Sequence, residues 1–192
     1  MNTAAVIERF KATGALLEGH FVLTSGLHSP NYLQCALLLQ YPQEAEVFAR
    51  ALAEQFKDDN IQLVAAPAIG GIVIGYEVAR QLGARFIWTE RVDGEMTLRR
   101  GFSVKRSERT LVVEDVITTG GSTLETVQTL TAAGAKVIGA ASIIDRSSGR
   151  ADVSVTRVAL ATLDVPAVDP AFCDLCRQGI PAMKPGSSKG RQ

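Results

Sequence analysis

The stretch 111–123, Leu-Val-Val-Glu-Asp-Val-Ile-Thr-Thr-Gly-Gly-Ser-Thr, leaves the chain around it few options. An apolar, β-branched run of the kind that fills a buried strand ends in two adjacent carboxylates, Glu114 and Asp115. Hydroxyls and two glycines follow, and then a helical pattern begins. Gly120 and Gly121 let the backbone take φ > 0 and come close to a ligand. The helix start behind them offers unpaired N–H groups and the positive end of a dipole, a setting for a phosphate. Two acids would repel that phosphate, so they need sugar hydroxyls or a metal as partners. A phosphorylated sugar satisfies both halves. The stretch lacks the Lys of a P-loop and is not Gly-x-Gly-x-x-Gly. The bland alternative is an ordinary strand–turn–helix capped by a box of Ser122 and Glu125. It leaves the paired acids and the double glycine unexplained.

The surrounding pattern alternates strands and helices. A first helix carries Val6, Phe10 and Leu17 on one stripe and ends near Gly19. Residues 21–34 are extended, with turns at Ser25-Gly26 and Ser29-Pro30, and a helix spans 42–58 behind Pro42. Strands are expected at Ile61–Ala66, Arg85–Thr89, Thr110–Glu114 and Lys136–Asp145, with an edge strand at Val153–Leu160. The helices between them carry Ile74, Val78 and Leu82, stopped by Gly83, and then residues 122–133, stopped by Gly134. Such alternation implies an α/β fold with a mostly parallel central sheet flanked by helices. Ligands in such folds bind beyond the carboxyl ends of the strands.

Four loops lie at that edge. Pro67-Ala68-Ile69-Gly70-Gly71 opens a helix and offers a second anion site; its alternative is a tight packing turn. The segment from Glu90 to Gly101 carries Arg91, Arg99 and Arg100. It reads as a mobile arginine loop closing over an anionic leaving group, or as a solvated hairpin, with Asp93 and Glu95 weakening the cationic case. The third loop is 114–122. The fourth, Asp145 to Gly149, places Arg146 where it can grip a carboxylate with two parallel hydrogen bonds, unless it merely pairs with Asp145.

Composition bounds the rest. The 192 residues suit one domain, and 46% hydrophobic with 21% charged residues is ordinary for a globular protein. Lys plus Arg equals Asp plus Glu at 20 each, so no global field recruits nucleic acid or an anionic membrane. No signal peptide is expected from the N-terminus, and the apolar segment 63–79 is too short and interrupted to span a bilayer. Three cysteines make a poor disulfide framework, which favours a reducing cytoplasm. Cys173-x-x-Cys176 supplies half of a tetrahedral zinc site, but with only His20 and His28 to complete it, two packed thiols on one short helix are expected instead. The tail 184–192 is expected to be disordered.

Residues 111–123 resemble the phosphoribosyl-diphosphate (PRPP) signature of type I phosphoribosyltransferases, and nearly the whole chain is similar to the orotate branch of that family. Three further features carry the likeness: the segment Phe21-x-Leu-x-Ser25-Gly26-x-x-Ser29-Pro30, similar to the family's base-covering hood; the Asp145-Arg146 pair; and the tail from Cys173 to Pro185. The resemblance implies one phosphoribosyltransferase domain over residues 1–192, with 1–40 contributing the hood. It implies that Glu114, Asp115, Val116, Ile117, Thr118, Thr119, Gly120, Gly121 and Ser122 bind the ribose 5-phosphate and ring hydroxyls, and that Thr118 and Arg146 contact orotate. Ala68, Ile69, Gly70 and Gly71 would lie along the diphosphate, reached by Arg91 from the loop, with Arg99 or Arg100 as further partners. Asp115, Glu114 and Arg91 are then the catalytic candidates.

Implied too are Mg²⁺, held mainly by substrate and water rather than by a protein cage, and a cytoplasmic homodimer without nucleic-acid or membrane partners. The activity implied is transfer of 5-phosphoribosyl from PRPP to orotate, giving orotidine 5′-monophosphate and diphosphate in pyrimidine biosynthesis. The chain departs from the family at Thr24, where many members have Lys, and at Ile69-Gly70, where many have Tyr-Lys. It departs again after Arg91, where Val92, Asp93 and Glu95 replace lysines and a His. Two alternatives stay open on the same fold: transfer to another base, and a PRPP-sensing regulator that binds nucleic acid.

Overall fold

A computed structural model describes residues 1–23 and 25–184. Thr24 and most of the expected disordered tail lie outside the described residues. The elements run α1 (Thr3–Ala12), β1 (Leu16–Val22), β2 (His28–Leu33), α2 (Cys35–Leu39), α3 (Pro42–Ala53), β3 (Leu63–Pro67), α4 (Gly71–Leu82), β4 (Arg85–Val92) and β5 (Glu95–Leu98). There follow β6 (Arg109–Ile117), α5 (Gly121–Ala132), β7 (Lys136–Asp145), β8 (Arg157–Thr162) and a short α6 (Asp174–Arg177). Two 3₁₀ turns, Glu54–Phe56 and Pro170–Phe172, complete the list.

Six strands form one sheet in the order β5-β4-β3-β6-β7-β8. Every pair is parallel except β4 with β5, which form a hairpin. The chain crosses from β3 through α4 to β4 in one direction and from β6 through α5 to β7 in the other. The order therefore reverses between β3 and β6, and that reversal opens a crevice beyond their carboxyl ends. Period-two alternation sorts the strand residues between two cores. Val64, Leu111 and Val113 face Phe10, Phe48, Leu52, Ile74 and Val78 from α1, α3 and α4. Leu63, Ala65 and Val112 face Val127 and Leu130 from α5. The expected fold class is the observed one.

Several boundaries differ from expectation for local reasons. The first helix stops at Ala12, because Gly14 turns with φ +67° and Leu16 to Val22 then pair with β2 instead of continuing the stripe. The last strand starts at Arg157, not Val153. Val153 is buried against Gly120, and Ser154 bends the backbone at φ +61°. Strand β6 runs on to Ile117, so both acids lie within the strand. Strand β4 also runs on, to Val92, so the arginine segment is a hairpin turning at Asp93-Gly94.

Beyond the sheet, β1 and β2 form an antiparallel pair of their own. The C-terminal segment flanks it on both sides. His28 and Val168 exchange backbone hydrogen bonds at 2.8 and 2.9 Å, while Val22 N–H donates to Met183 and Met183 N–H to His20, both at 2.8 Å.

Candidate active site

The crevice is built from the ends of β3, β6 and β7. Strand β3 delivers the chain to a turn at Ala68 and Ile69, joined by a cis peptide, and α4 starts at Gly71. This turn lies directly against the acid pair. A Cβ at position 70 would sit 2.7 Å from one Asp115 carboxylate oxygen. At position 71 it would sit 2.8 Å from the Val113 carbonyl and 3.1 Å from Glu114 Oε1. Glycine is needed at both positions because only a bare backbone can approach so closely. The two loops expected to form separate anion sites are thus one surface.

Glu114 and Asp115 are both largely buried. Burial, then the neighbouring Asp115 charge, hold the Glu114 carboxyl well above its usual range. Burial raises Asp115 too, opposed by hydrogen bonds from Glu114 and from the Val116 N–H, the latter at 2.8 Å. Burial thus disfavours charge on both carboxyls in the absence of a better partner. A vicinal pair of sugar hydroxyls is such a partner, since it can donate to both.

Helix α5 begins at Gly121 behind Gly120, whose φ of +84° is left-handed. No side chain caps it, so the Ser122–Glu125 capping box does not form. Glu125 instead receives a hydrogen bond from Arg91. The exposed Thr118, Thr119 and Ser122 surround the helix start, where the Gly121 N–H makes only a long 3.5 Å hydrogen bond to the Thr119 hydroxyl, a setting suited to an anion. Gly120 is fixed from behind, where Ala151 and Val153 leave no room for a side chain.

Arg146 follows β7, and its backbone N–H donates to the Ile117 carbonyl at 2.8 Å, locking this loop to the end of β6. The local Asp145–Arg146 pair does not form. Asp145 is taken by Arg157 from β8 and by the Ser147 amide and hydroxyl, both at 2.6 Å. Burial pushes Asp145 up, but the hydrogen bonds of Ser147 and Arg157 outweigh it and leave the carboxyl below its usual value. Arg146 is left with a buried Nε that has no hydrogen-bond partner among the described residues. Burial weakens its hold on its proton, and the nearby Tyr32 hydroxyl partly compensates. A buried, unsatisfied guanidinium N–H is costly unless a ligand completes it.

Tyr32 and Cys35, absent from the sequence-based site, belong here. Burial raises the Tyr32 hydroxyl, with Arg146 opposing and Asp115 adding to the rise. Burial and both acids raise the Cys35 thiol well above its usual value. Their only sequence signal is position, in and just behind the extended segment that lies over the crevice.

The hairpin arginines are held differently. Arg91 donates to Glu125 and to the Gly94 carbonyl. Arg100 donates to Glu90 and lies 5.9 Å from the Trp88 ring centre, and Arg99 sits 3.8 Å from Glu90. All three guanidinium groups are spoken for by the protein itself.

Comparison with known proteins gives the family of the chain. Residues 36–169 match the family model of the phosphoribosyl transferase domain. The chain is 51% identical over 189 residues to the orotate phosphoribosyltransferase of Pelotomaculum thermopropionicum, covering 98% of this chain and all of that protein. Among solved structures, the orotate phosphoribosyltransferase of Aeropyrum pernix superposes with a TM-score of 0.66 at 26% identity, over 82% of this chain and 93% of that one. The adenine phosphoribosyltransferase of Rhodothermus marinus gives 0.63 at 21%, over 83% and 99%, so the fold is shared across bases. The chain belongs to the phosphoribosyltransferase family, and within it to the orotate phosphoribosyltransferases.

Proposed function

We propose that this protein transfers the 5-phosphoribosyl group of PRPP to N1 of orotate, releasing diphosphate and forming orotidine 5′-monophosphate for pyrimidine biosynthesis. The observation that carries the choice of base is Arg146. A half-buried guanidinium with a buried, unpaired Nε, its natural carboxylate partner already bound elsewhere, suits a planar carboxylate such as that of orotate. A neutral base such as adenine or uracil leaves that need unmet. Tyr32 on β2 and Thr118 flank the same space, with residues 1–40 forming the hood over the base within a single domain.

The ribose 5-phosphate rests on the start of α5, against the amides of Gly120 to Ser122 and the hydroxyls of Thr118 and Thr119. Glu114 and Asp115 hold the ring hydroxyls. As the bond from C1 to diphosphate breaks, positive charge builds on the ribose, and the two carboxylates favour that charge. Backbone amides of Ala68 to Gly71 lie along the diphosphate, and Arg91 neutralises it once released from Glu125. Arg99 and Arg100, held by Glu90, contribute at longer range.

The donor set also fits Mg²⁺. Two carboxylates are hard oxygen ligands but too few to replace its shell, so the ion would be held mainly by substrate oxygens and water, offsetting diphosphate charge. Ribose and metal-bound water are alternative partners for the same acids.

Assembly as a homodimer is part of this reading. Its support is an exposed apolar face on α4, where Val73 and Tyr76 flank a groove lined by Pro42, Ala45, Phe86 and Trp88. Among the described residues no helix is long and apolar enough to cross a membrane. A cytoplasmic setting is consistent with three free cysteines. Ultraviolet-monitored base consumption with PRPP and Mg²⁺ tests the activity. Orotate loss without loss of adenine, hypoxanthine or uracil is expected. No turnover with any base, despite stabilisation by PRPP, would favour a regulator.

A further inference from the structure

The expectation that Cys173 and Cys176 merely pack together does not survive the fold. His20 from β1, His28 from β2, Cys173 before α6 and Cys176 within it converge so that one ligand atom of each lies within 4.8 Å of all the others. His20 Nε2 is 2.8 Å from His28 Nδ1, 3.4 Å from Cys173 Sγ and 3.7 Å from Cys176 Sγ. His28 Nδ1 is 3.3 Å from Cys176 Sγ. We propose that these four side chains form a structural zinc site that staples the C-terminal segment to the N-terminal hairpin.

Three features favour a metal over a cluster of hydrogen bonds. The first is the orientation of His20. Its Nδ1 is 2.7 Å from the Ile180 carbonyl, which requires the proton there and leaves the Nε2 lone pair aimed into the cluster. A metal-binding histidine is oriented in this way by a carbonyl on its other nitrogen. Three groups then crowd one lone pair, more than hydrogen bonding can use.

The second is ligand chemistry and spacing. Two thiolates and two imidazoles with no open position are the donor set of closed, structural zinc sites. Ordinary zinc bond lengths place neighbouring ligand atoms about 3.3–3.8 Å apart in a tetrahedron. The three sulfur–nitrogen distances given above already fall in or near that range, and the histidine pair must open by roughly 0.5 Å.

The third is what else could hold this segment. Between residues 162 and 184, Cys173 alone is buried; Phe172, Ile180 and Met183 are exposed. Apolar packing holds the segment only near its start, through Leu163 and Val165, yet its backbone pairs with both strands of the hairpin around the four ligands. Closing a loop of this length is entropically costly, and metal–ligand bonds can offset it. The staple is independent of which base the enzyme uses.

The test is metal analysis of the purified full chain with its thiols kept reduced, beside Cys176→Ser, His28→Asn and the control Cys35→Ala. About one zinc per chain is expected in wild type and Cys35→Ala, with at least a tenfold loss of zinc affinity in the other two variants. Their melting temperature should fall by more than about 5 °C. Should the variants not fold, cobalt reconstitution of wild type gives the answer. Intense visible bands of tetrahedral cobalt and thiolate charge transfer are expected. Zinc-free wild type with reduced thiols, a Cys173–Cys176 disulfide in their place, retention of zinc by Cys176→Ser, or an octahedral cobalt spectrum would overturn the proposal.

Discussion

Arg146 and the arginines of the β4–β5 hairpin lie along the same edge of the sheet, yet the protein treats them in opposite ways. Around Arg146 the neighbouring carboxylate is withdrawn: Asp145 is bound to Arg157 and Ser147, and a buried guanidinium N–H is left over. In the hairpin every arginine is supplied with an acid, Arg91 with Glu125 and Arg99 and Arg100 with Glu90. In the proposed function the first arrangement would act as a fixed receptor, its cost recovered when an anion arrives. The second holds its cations on exposed pairs worth no more than about 1 kcal/mol, cheap to release and remake. Fixed recognition suits the base, and releasable charge suits a leaving group that must depart.

The contrast depends on Arg157, so its removal should have the largest effect. Arg157→Leu leaves Asp145 buried and short of a partner, and stability should fall by about 3–5 kcal/mol, or roughly 6–20 °C in melting temperature. Asp145 is then free to turn to Arg146, and the Michaelis constant for orotate should rise. The pH dependence has a definite sign. A carboxyl depressed in the folded state contributes stability above its unfolded value, near about 4, and that stability is lost as pH falls through the folded value. Wild-type melts should therefore weaken below about pH 4, and the variant's curve should be flatter there; identical curves would remove the Arg157 pair from the account.

Next is Asp115→Asn, with turnover expected to drop by about 10²–10³. Stability should move the other way. A carboxyl raised by burial costs stability above its folded value, and the cost vanishes below the unfolded one. The variant should melt higher than wild type at neutral pH and alike near pH 3, which calorimetry can check.

Arg146→Ala should raise the Michaelis constant for orotate by a contact worth about 1.5–3 kcal/mol, or roughly 10- to 150-fold. The constant for PRPP should hardly move, and the ligand-free variant should melt no lower than wild type, because removing the unsatisfied Nε–H relieves a cost. Equal effects on both substrates would break the distinction between the two regions. The smallest effects belong to the hairpin. Arg91→Ala should slow turnover about tenfold without changing orotate affinity, whereas Arg100→Ala should change stability by under about 1 kcal/mol and leave turnover near wild type. Steady-state kinetics on both variants separates them.

These regions also differ in how far the sequence discloses them. The turn at 114–122 is legible because acids, hydroxyls and glycines that meet one ligand are contiguous, and a strand before and a helix after fix their directions. The parallel sheet follows from the same local periodicity. What Arg146 does is not local. Residue 145 is its obvious partner, and only the neighbouring strand β8 shows that Arg157 claims it. Tyr32 enters from the hairpin and Cys35 from the start of α2, and no spacing announces them. His20, His28, Cys173 and Cys176 are the extreme case, because two strands and a short C-terminal helix meet only in three dimensions. The Ser122–Glu125 pair errs in the other direction, as a local capping pattern overridden when Glu125 is recruited by Arg91.

The most direct test is the ratio of kcat/KM for orotate to that for uracil, measured in wild type and in Arg146→Ala. The two bases differ in the carboxylate that Arg146 is proposed to receive. A strong orotate preference in wild type that collapses in the variant, through loss on orotate alone, is the predicted result. A preference that survives the loss of Arg146, or one that never existed, would contradict the account.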